Sequence, residues 1–230
     1  FISKIGDLNV IYIPLSALNG DNVFYKSSNI KWYKGKTLIQ NLEKVTVKNN
    51  QTIEAFRLPV QWVNRPNLDF RGFSGNIASG KISVGDKLIA NLSQKETKVK
   101  KIFSPSGEVK SAIVGTAITL LLDNEIDISR GELLTSPCAT AQIADQFSSW
   151  IVWLDSAELL PERIYQIRFS NAEATGQVTE LSHKIDVNTL DHHATKTLKI
   201  NEIGYCKISL DRSIAFDSYQ ENKTTGSFIL

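Results

Sequence analysis

Gly75 and Gly80, separated by four residues and followed at once by Lys81, spell the opening of a phosphate-binding loop. Such a loop works because glycines let backbone N–H groups wrap the phosphates and the lysine reaches the outer ones. A Ser or Thr must come next to hold Mg²⁺, and a helix must begin there. Here the next residue is Ile82, and Ile82, Val84 and Leu88 continue an alternating apolar pattern. The motif fails at its metal-binding position. The stretch Phe70–Leu88 reads instead as a β-hairpin at the rim of a small barrel, with Gly85 and its fellows supplying the joints.

Other chemistry-bearing residues are sparser. His192 and His193 lie beside Asp191, with His183 upstream. Adjacent residues on a strand point to opposite faces, and no HxH or HxxxH spacing occurs, so a surface loop is expected rather than a metal site. Glu43, Asp69, Glu125, Asp127 and Glu202 show no spacing that pairs two carboxylates, and no general acid or base is assigned. Asp69 and Arg71 flank Phe70 and fit a structural ion pair on one strand face. Lys95, Lys98, Lys100 and Lys101, interleaved with Val99 and Ile102, fit a half-exposed strand guarded against aggregation. Contact with a partner or with nucleic-acid phosphate is the other reading. Trp32, Trp62, Trp150 and Trp153 are expected in core or inter-domain packing.

The composition of the 230 residues suits one large or two small globular domains. A net charge of +2 gives no strong field toward a polyanion or a membrane surface. Cys138 and Cys206 are far apart with no CxxC, which predicts buried free thiols in a reducing compartment. No apolar run approaches the ~20 residues of a membrane span. The chain contains no Met and ends on the apolar run Ser227-Phe228-Ile229-Leu230, and we read it as a piece of a longer polypeptide.

The elements that must position these residues are mostly strands. Asn9–Pro14 reads as a buried strand of the parallel-sheet kind. A loop over 16–22 follows, then a helix start at Thr37 with Gln40 completing a capping box and Leu38, Leu42 and Val45 at helical spacing. Residues 1–47 thus look like the tail of an α/β unit, and Lys48–Thr52 like a polar linker. From Phe56 on, short alternating segments succeed one another: 56–62, 87–92, 97–103 and 117–122, then 139–147, 151–154, 163–169, 176–181, 198–210 and 226 onward. That spacing fits closed barrels. Asp127–Glu132 reads as the last turn of the first.

Several stretches resemble the large, GTP-binding subunit of bacterial sulfate adenylyltransferase (the heterodimeric ATP sulfurylase), a member of the elongation factor Tu-like GTPases. They are Leu58-Pro59-Val60-Gln61, Arg65-Pro66, Asp69-Phe70-Arg71-Gly72, Ser79-Gly80-Lys81-Ile82, Asp127–Gly131, Asp186–Thr189, Leu198–Gly204, and Asp217, Tyr219, Asn222 with Thr225–Ile229. Ser16-Ala17-Leu18 with Gly20 looks like that family's last guanine-recognition loop, whose small residue lets the base approach a backbone donor.

The resemblance implies a mainly β chain, with two consecutive translation-factor-type antiparallel barrels preceded by the C-terminal remnant of a P-loop GTPase α/β domain. The expected boundaries are 1–47, 52–135 and 136–230. It implies that the full-length protein uses GTP and Mg²⁺ to drive formation of adenosine 5′-phosphosulfate from ATP and sulfate. It further implies a small catalytic subunit as partner and a cytoplasmic location, with a fusion to an adenylylsulfate kinase domain beyond Leu230 as a further option. No complete P-loop and no NKxD motif is present, so no catalytic residue is assigned, neither cofactor nor metal is expected on this stretch, and it is predicted to be inactive alone. The alternative is a pair of tRNA-binding barrels from a translation factor, which a salt-dependent gel shift would reveal.

Overall fold

The computed structural model describes residues 9–45, 55–67, 70–170 and 172–230. The chain forms two compact units, 1–50 and 51–230. The linker read at Lys48–Thr52 and the acidic half of the Asp69–Arg71 pair lie outside the described residues.

In the first unit, Asn9–Pro14 is not a buried strand. Residues 9–12 are exposed and belong to no ladder. An apolar strand of this kind is stabilised by neighbours on both sides and layers on both faces, and the described part of this unit offers it none. The loop after it is ordered by a bridge between Ser16 and Asp21. The helix α1, Leu38–Leu42, starts where expected: the Thr37 hydroxyl accepts from the Gln40 N–H, and the Gln40 side chain accepts from the Thr37 N–H. It ends before Val45 and buries none of its residues.

The second unit contains two successive antiparallel sheets, and the mainly β expectation holds. The first is built from β1 (Arg57–Pro59), β2 (Trp62–Asn67), β3 (Phe70–Asn76), β4 (Lys81–Ser83), β5 (Lys87–Ala90), β6 (Lys95–Ser104), β7 (Gly107–Val109), β8 (Ser111–Ile113), β9 (Ala117–Leu122) and β10 (Leu133–Thr135). Its main path runs β1-β10-β5-β6-β9-β3-β2, while β4 and β8 form a separate ribbon. The path closes because its two end strands are consecutive in the chain. Val60 donates to Glu132 O beside β10, and Gln61 donates to Ser74 O on β3. Phe56, Leu58, Val60, Ile82, Leu88, Ile102, Leu120 and Leu134 fill the interior. Closure leaves few free edges to template association.

Phe70–Leu88 is not a hairpin on itself. β3 pairs with β2 and β9, β4 with β8, and β5 with β6 and β10. Alternation marks the strands correctly but carries no information about which strand lies beside which. Asp127–Glu132 does turn, with Gly131 at φ +100° and Glu132 donating to Ser129 O.

The second sheet holds β11 (Gln142–Val152), β12 (Ile164–Phe169), β13 (Glu173–Ile185), β14 (His192–His193), β15 (Ile203–Phe216) and β16 (Phe228–Ile229), in the order β11-β15-β13-β12-β16. The segments expected at 139–147 and 151–154 are joined, and β11 runs straight through the residues between them. Its register shift, between Ala144 and Gln146, and two more in the β13–β15 ladder bend these long strands. Phe147 packs against Phe169, Phe216 and Phe228 at centroid separations of 5.4–6.2 Å. Trp153 alone of the four tryptophans is buried; Trp32, Trp62 and Trp150 are exposed, against the packing expectation. Cys206 is buried as expected, whereas Cys138 is exposed; both are free.

Candidate functional site

Ser16, Ala17 and Leu18, the stretch that resembles a guanine-recognition loop, stand on a turn that the sequence builds locally. Gly20 takes φ +73°, and Ser16 donates to Asp21 O at 3.2 Å. Asn22, almost fully buried, donates to Pro14 O at 2.8 Å and accepts from Ser27 N–H at 2.9 Å. Asp21 accepts from the Ser27 hydroxyl. These bonds hold both ends of the loop while Leu18 stands 96% exposed at its tip. Among the described residues the Ala17 and Leu18 N–H groups donate to no backbone carbonyl. That is the chemistry a carbonyl oxygen on a planar base would require.

The Gly75–Lys81 stretch has the opposite character. Its N–H groups are spent on the barrel: Ile77 donates to Thr116 O at 3.0 Å and Ala78 to Arg57 O at 2.9 Å. Gly75 is opposite Ile118 in a ladder, and a side chain there would overlap the Pro59 carbonyl. The glycine serves close strand approach, not phosphate.

The histidines occupy strands, not a loop. His192 and His193 form β14 against β13, and the His192 ring stacks on His183 with centroids 4.4 Å apart. Trp150 and Tyr205 complete this cluster. Among the described residues no group of three metal-ligating side chains converges. Of the carboxylates singled out, Asp127 and Glu202 form ion pairs. Arg71 reaches Asp127 at 3.5 Å, and Lys184 meets Glu202 at 2.5 Å. The Lys184 bond is the chief cause holding the Glu202 carboxyl below its usual range.

Sequence reasoning missed the most elaborate polar constellation, which lies where the two sheets meet. The Arg57 guanidinium is bidentate on Asp217, with Nε to Oδ2 at 2.9 Å and Nη2 to Oδ1 at 3.0 Å. Its Nη1 donates to Ala139 O at 2.7 Å and Phe56 O at 3.1 Å. Thr225 Oγ1 donates to Asp217 Oδ2 at 2.6 Å. Nearby, Asn91 donates to Leu133 O and to Thr135 Oγ1, and accepts from the Ala141 N–H at 3.0 Å. The signal available was Arg57 on an otherwise apolar strand, flanked by Phe56 and Leu58. A charge there is paired or it is not buried.

With this geometry in view, the relatives are informative. Residues 146–230 match the GTP-eEF1A C-terminal domain-like family. Over all 230 residues the chain is 47% identical to the bifunctional enzyme NodQ of Rhizobium sp. (strain N33), spanning 36% of that protein. Over 223 residues, 97% of this chain and 47% of the relative, it is 44% identical to sulfate adenylyltransferase subunit 1 of Aliivibrio fischeri (strain MJ11). The chain is homologous to sulfate adenylyltransferase subunit 1. It spans less than half the length of these relatives. Among solved structures, Sup35 complexed with GDP aligns with a TM-score of 0.71 at 20% identity, over 96% of this chain and 55% of that one. The translation elongation factor SelB from Methanococcus maripaludis aligns with a TM-score of 0.60 at 18% identity, over 78% of this chain and 40% of that one. Those TM-scores show a shared fold. Among the described residues no helix is long and apolar enough to cross a membrane.

Proposed function

We propose that this chain is part of the GTPase subunit of a sulfate adenylyltransferase, coupling GTP hydrolysis to formation of adenosine 5′-phosphosulfate from ATP and sulfate. The observation that carries the reading is 44% identity to sulfate adenylyltransferase subunit 1 across 97% of this chain. In the full-length protein, the GTP phosphates and Mg²⁺ would be held by groups outside the motifs of this stretch. The Ala17 and Leu18 N–H groups would meet the guanine oxygen, which an adenine amino group cannot imitate. The barrels would carry the nucleotide state to a small catalytic subunit in the cytoplasm, moving as modules repositioned by switch segments. The bifunctional name of the Rhizobium relative supports a further domain, such as an adenylylsulfate kinase, beyond Leu230 in the same polypeptide.

The test is reconstitution of the full-length protein with its small subunit, measuring adenosine 5′-phosphosulfate formation with and without GTP. Stimulation by GTP is expected, with no turnover by residues 1–230 alone. A full-length protein that instead binds aminoacyl-tRNA in a salt-dependent gel shift, and leaves sulfate activation untouched, defeats the reading. Enlarging Ala17 to Val should weaken GTP binding in the same protein without affecting ATP use.

A further inference from the structure

β6 pairs with β5 over 95–98 on one side and with β9 over 99–103 on the other, with β7 across from β9 over 102–104. Its first residues keep one side open, and there Lys95 fits the half-exposed, guarded strand expected. From Lys98 on, where Lys98 O accepts from the Asp123 N–H, the strand has neighbours on both sides and its lysines have little edge to protect. What remains is a concentration of positive charge that the fold does not need. Lys87 on β5 lies directly opposite Lys98 on β6. Like charges at directly opposed positions oppose pairing. The register shift between Val99 and Lys101 adds Lys100 to the exposed set beside Lys98 and Lys101. Lys101 is matched by Glu108 at 3.0 Å. Lys87, Lys98 and Lys100 have no carboxylate within ion-pair distance among the described residues, although Asp86, Glu96 and Asp123 are close in the ladder.

We propose that the outward face of β5 and β6 docks a carboxylate-rich segment of a protein partner, with Lys87, Lys98 and Lys100 as its contacts. The fit is one of charge: three ammonium groups without an ion-pair partner among the described residues, carried on two strands paired with each other. Nucleic acid is disfavoured by the company these lysines keep. Residues 87–101 contain neither an arginine nor an aromatic side chain. Arginine forks grip phosphates in two-point fashion and aromatic rings stack bases, and both are absent here. Point charges on flexible stems suit carboxylates spaced along a peptide. This surface is independent of the nucleotide reading and would stand if that reading fell.

The experiment uses residues 1–230 and a labelled polyglutamate peptide, with anisotropy read at about 50 mM salt, where surface charge is weakly screened. Replacing Lys87 and Lys98 together by Glu should weaken binding about tenfold or more, while Lys196→Glu with Lys223→Glu, an equal charge change elsewhere, should alter it by no more than about twofold. Equal losses in the two variants would mean that net charge alone is being read, and would overturn the proposal. So would a wild-type chain that ignores the peptide, or an oligonucleotide of matched charge bound about tenfold tighter through the same lysines. Lys98→Glu alone controls for folding. It places opposite charges across the ladder, so its melting temperature should equal or exceed the wild type. A fall would show that Lys98 is held by something other than the face described.

Discussion

Arg57 and Asp217, 160 residues apart in the chain, meet as a buried bidentate pair with bonds of 2.9–3.1 Å. One belongs to the first sheet and the other follows the last long strand of the second. Both are buried to within a few per cent. Removing either partner leaves the other as an uncompensated interior charge, at a cost of about 3–5 kcal/mol. Asp217→Ala and Arg57→Ala should each lower the urea midpoint sharply. The double variant should cost much less than their sum. Strict additivity would contradict the pairing.

Arg57→Lys is the subtler test of the same joint. Lysine keeps the charge but cannot hold Asp217, Ala139 O and Phe56 O at once. A loss of about 1–3 kcal/mol in urea unfolding is expected, from backbone acceptors left unmet.

Gly75→Ala separates packing from phosphate binding. The added methyl would overlap the Pro59 carbonyl across β1 and β3. Overpacking of this kind costs about 1–3 kcal/mol. A lower melting temperature with unchanged nucleotide affinity in the full-length protein is expected. The reverse pattern would restore the phosphate-loop reading.

The two thiols should differ in reactivity. Burial pushes the Cys206 thiol up to about 12, and its Sγ donates to Ser149 O at 3.6 Å. Cys138 is exposed. Thiolate is the attacking species, so an aromatic disulfide reagent at mild alkaline pH should modify Cys138 at once and Cys206 only on unfolding. Rapid release of two equivalents from the native chain would refute this.

Glu132 gives a pH signature. Burial raises its carboxyl above the usual range, against the N–H bonds from Leu92 and Leu133 that pull it down. The folded state then holds this proton more tightly than the unfolded chain. Its contribution favours folding below the unfolded value near 4.5 and is lost as pH rises through the folded one. In Glu132→Gln the fall of stability with rising pH across that window should flatten. Parallel pH profiles for the two proteins would exclude the effect.

Part of this was legible in the chain: Phe56, Leu58 and Val60 lie inside as their spacing suggests, and Thr37 with Gln40 named its own cap. The alternation misleads beside them, because Arg57 and Pro59 are buried as well and Trp62, on the same spacing, is exposed. Pairing was not legible. Nothing local to Lys81–Ser83 says that it joins Ser111–Ile113, since that choice is made by closure of the whole sheet. Asn9–Pro14 misled because apolar content fixes a preference for burial, while burial itself needs neighbours. The Ser16–Leu18 loop was visible as a resemblance. The bonds from Asn22 to Pro14 O and from Ser27 to Asp21 that brace its two ends are not encoded in the spacing.

The separation of Arg57 from Asp217 also sets an order of events during synthesis. At about 5–20 residues per second, a nascent chain displays Arg57 for roughly 8–32 s before its counter-ion leaves the ribosome. The first cylinder can shut once Leu133–Thr135 emerges, but its guanidinium must stay hydrated until the second is nearly translated. Interruption between those moments would release a half-product with a solvated cation where the finished molecule has a seam.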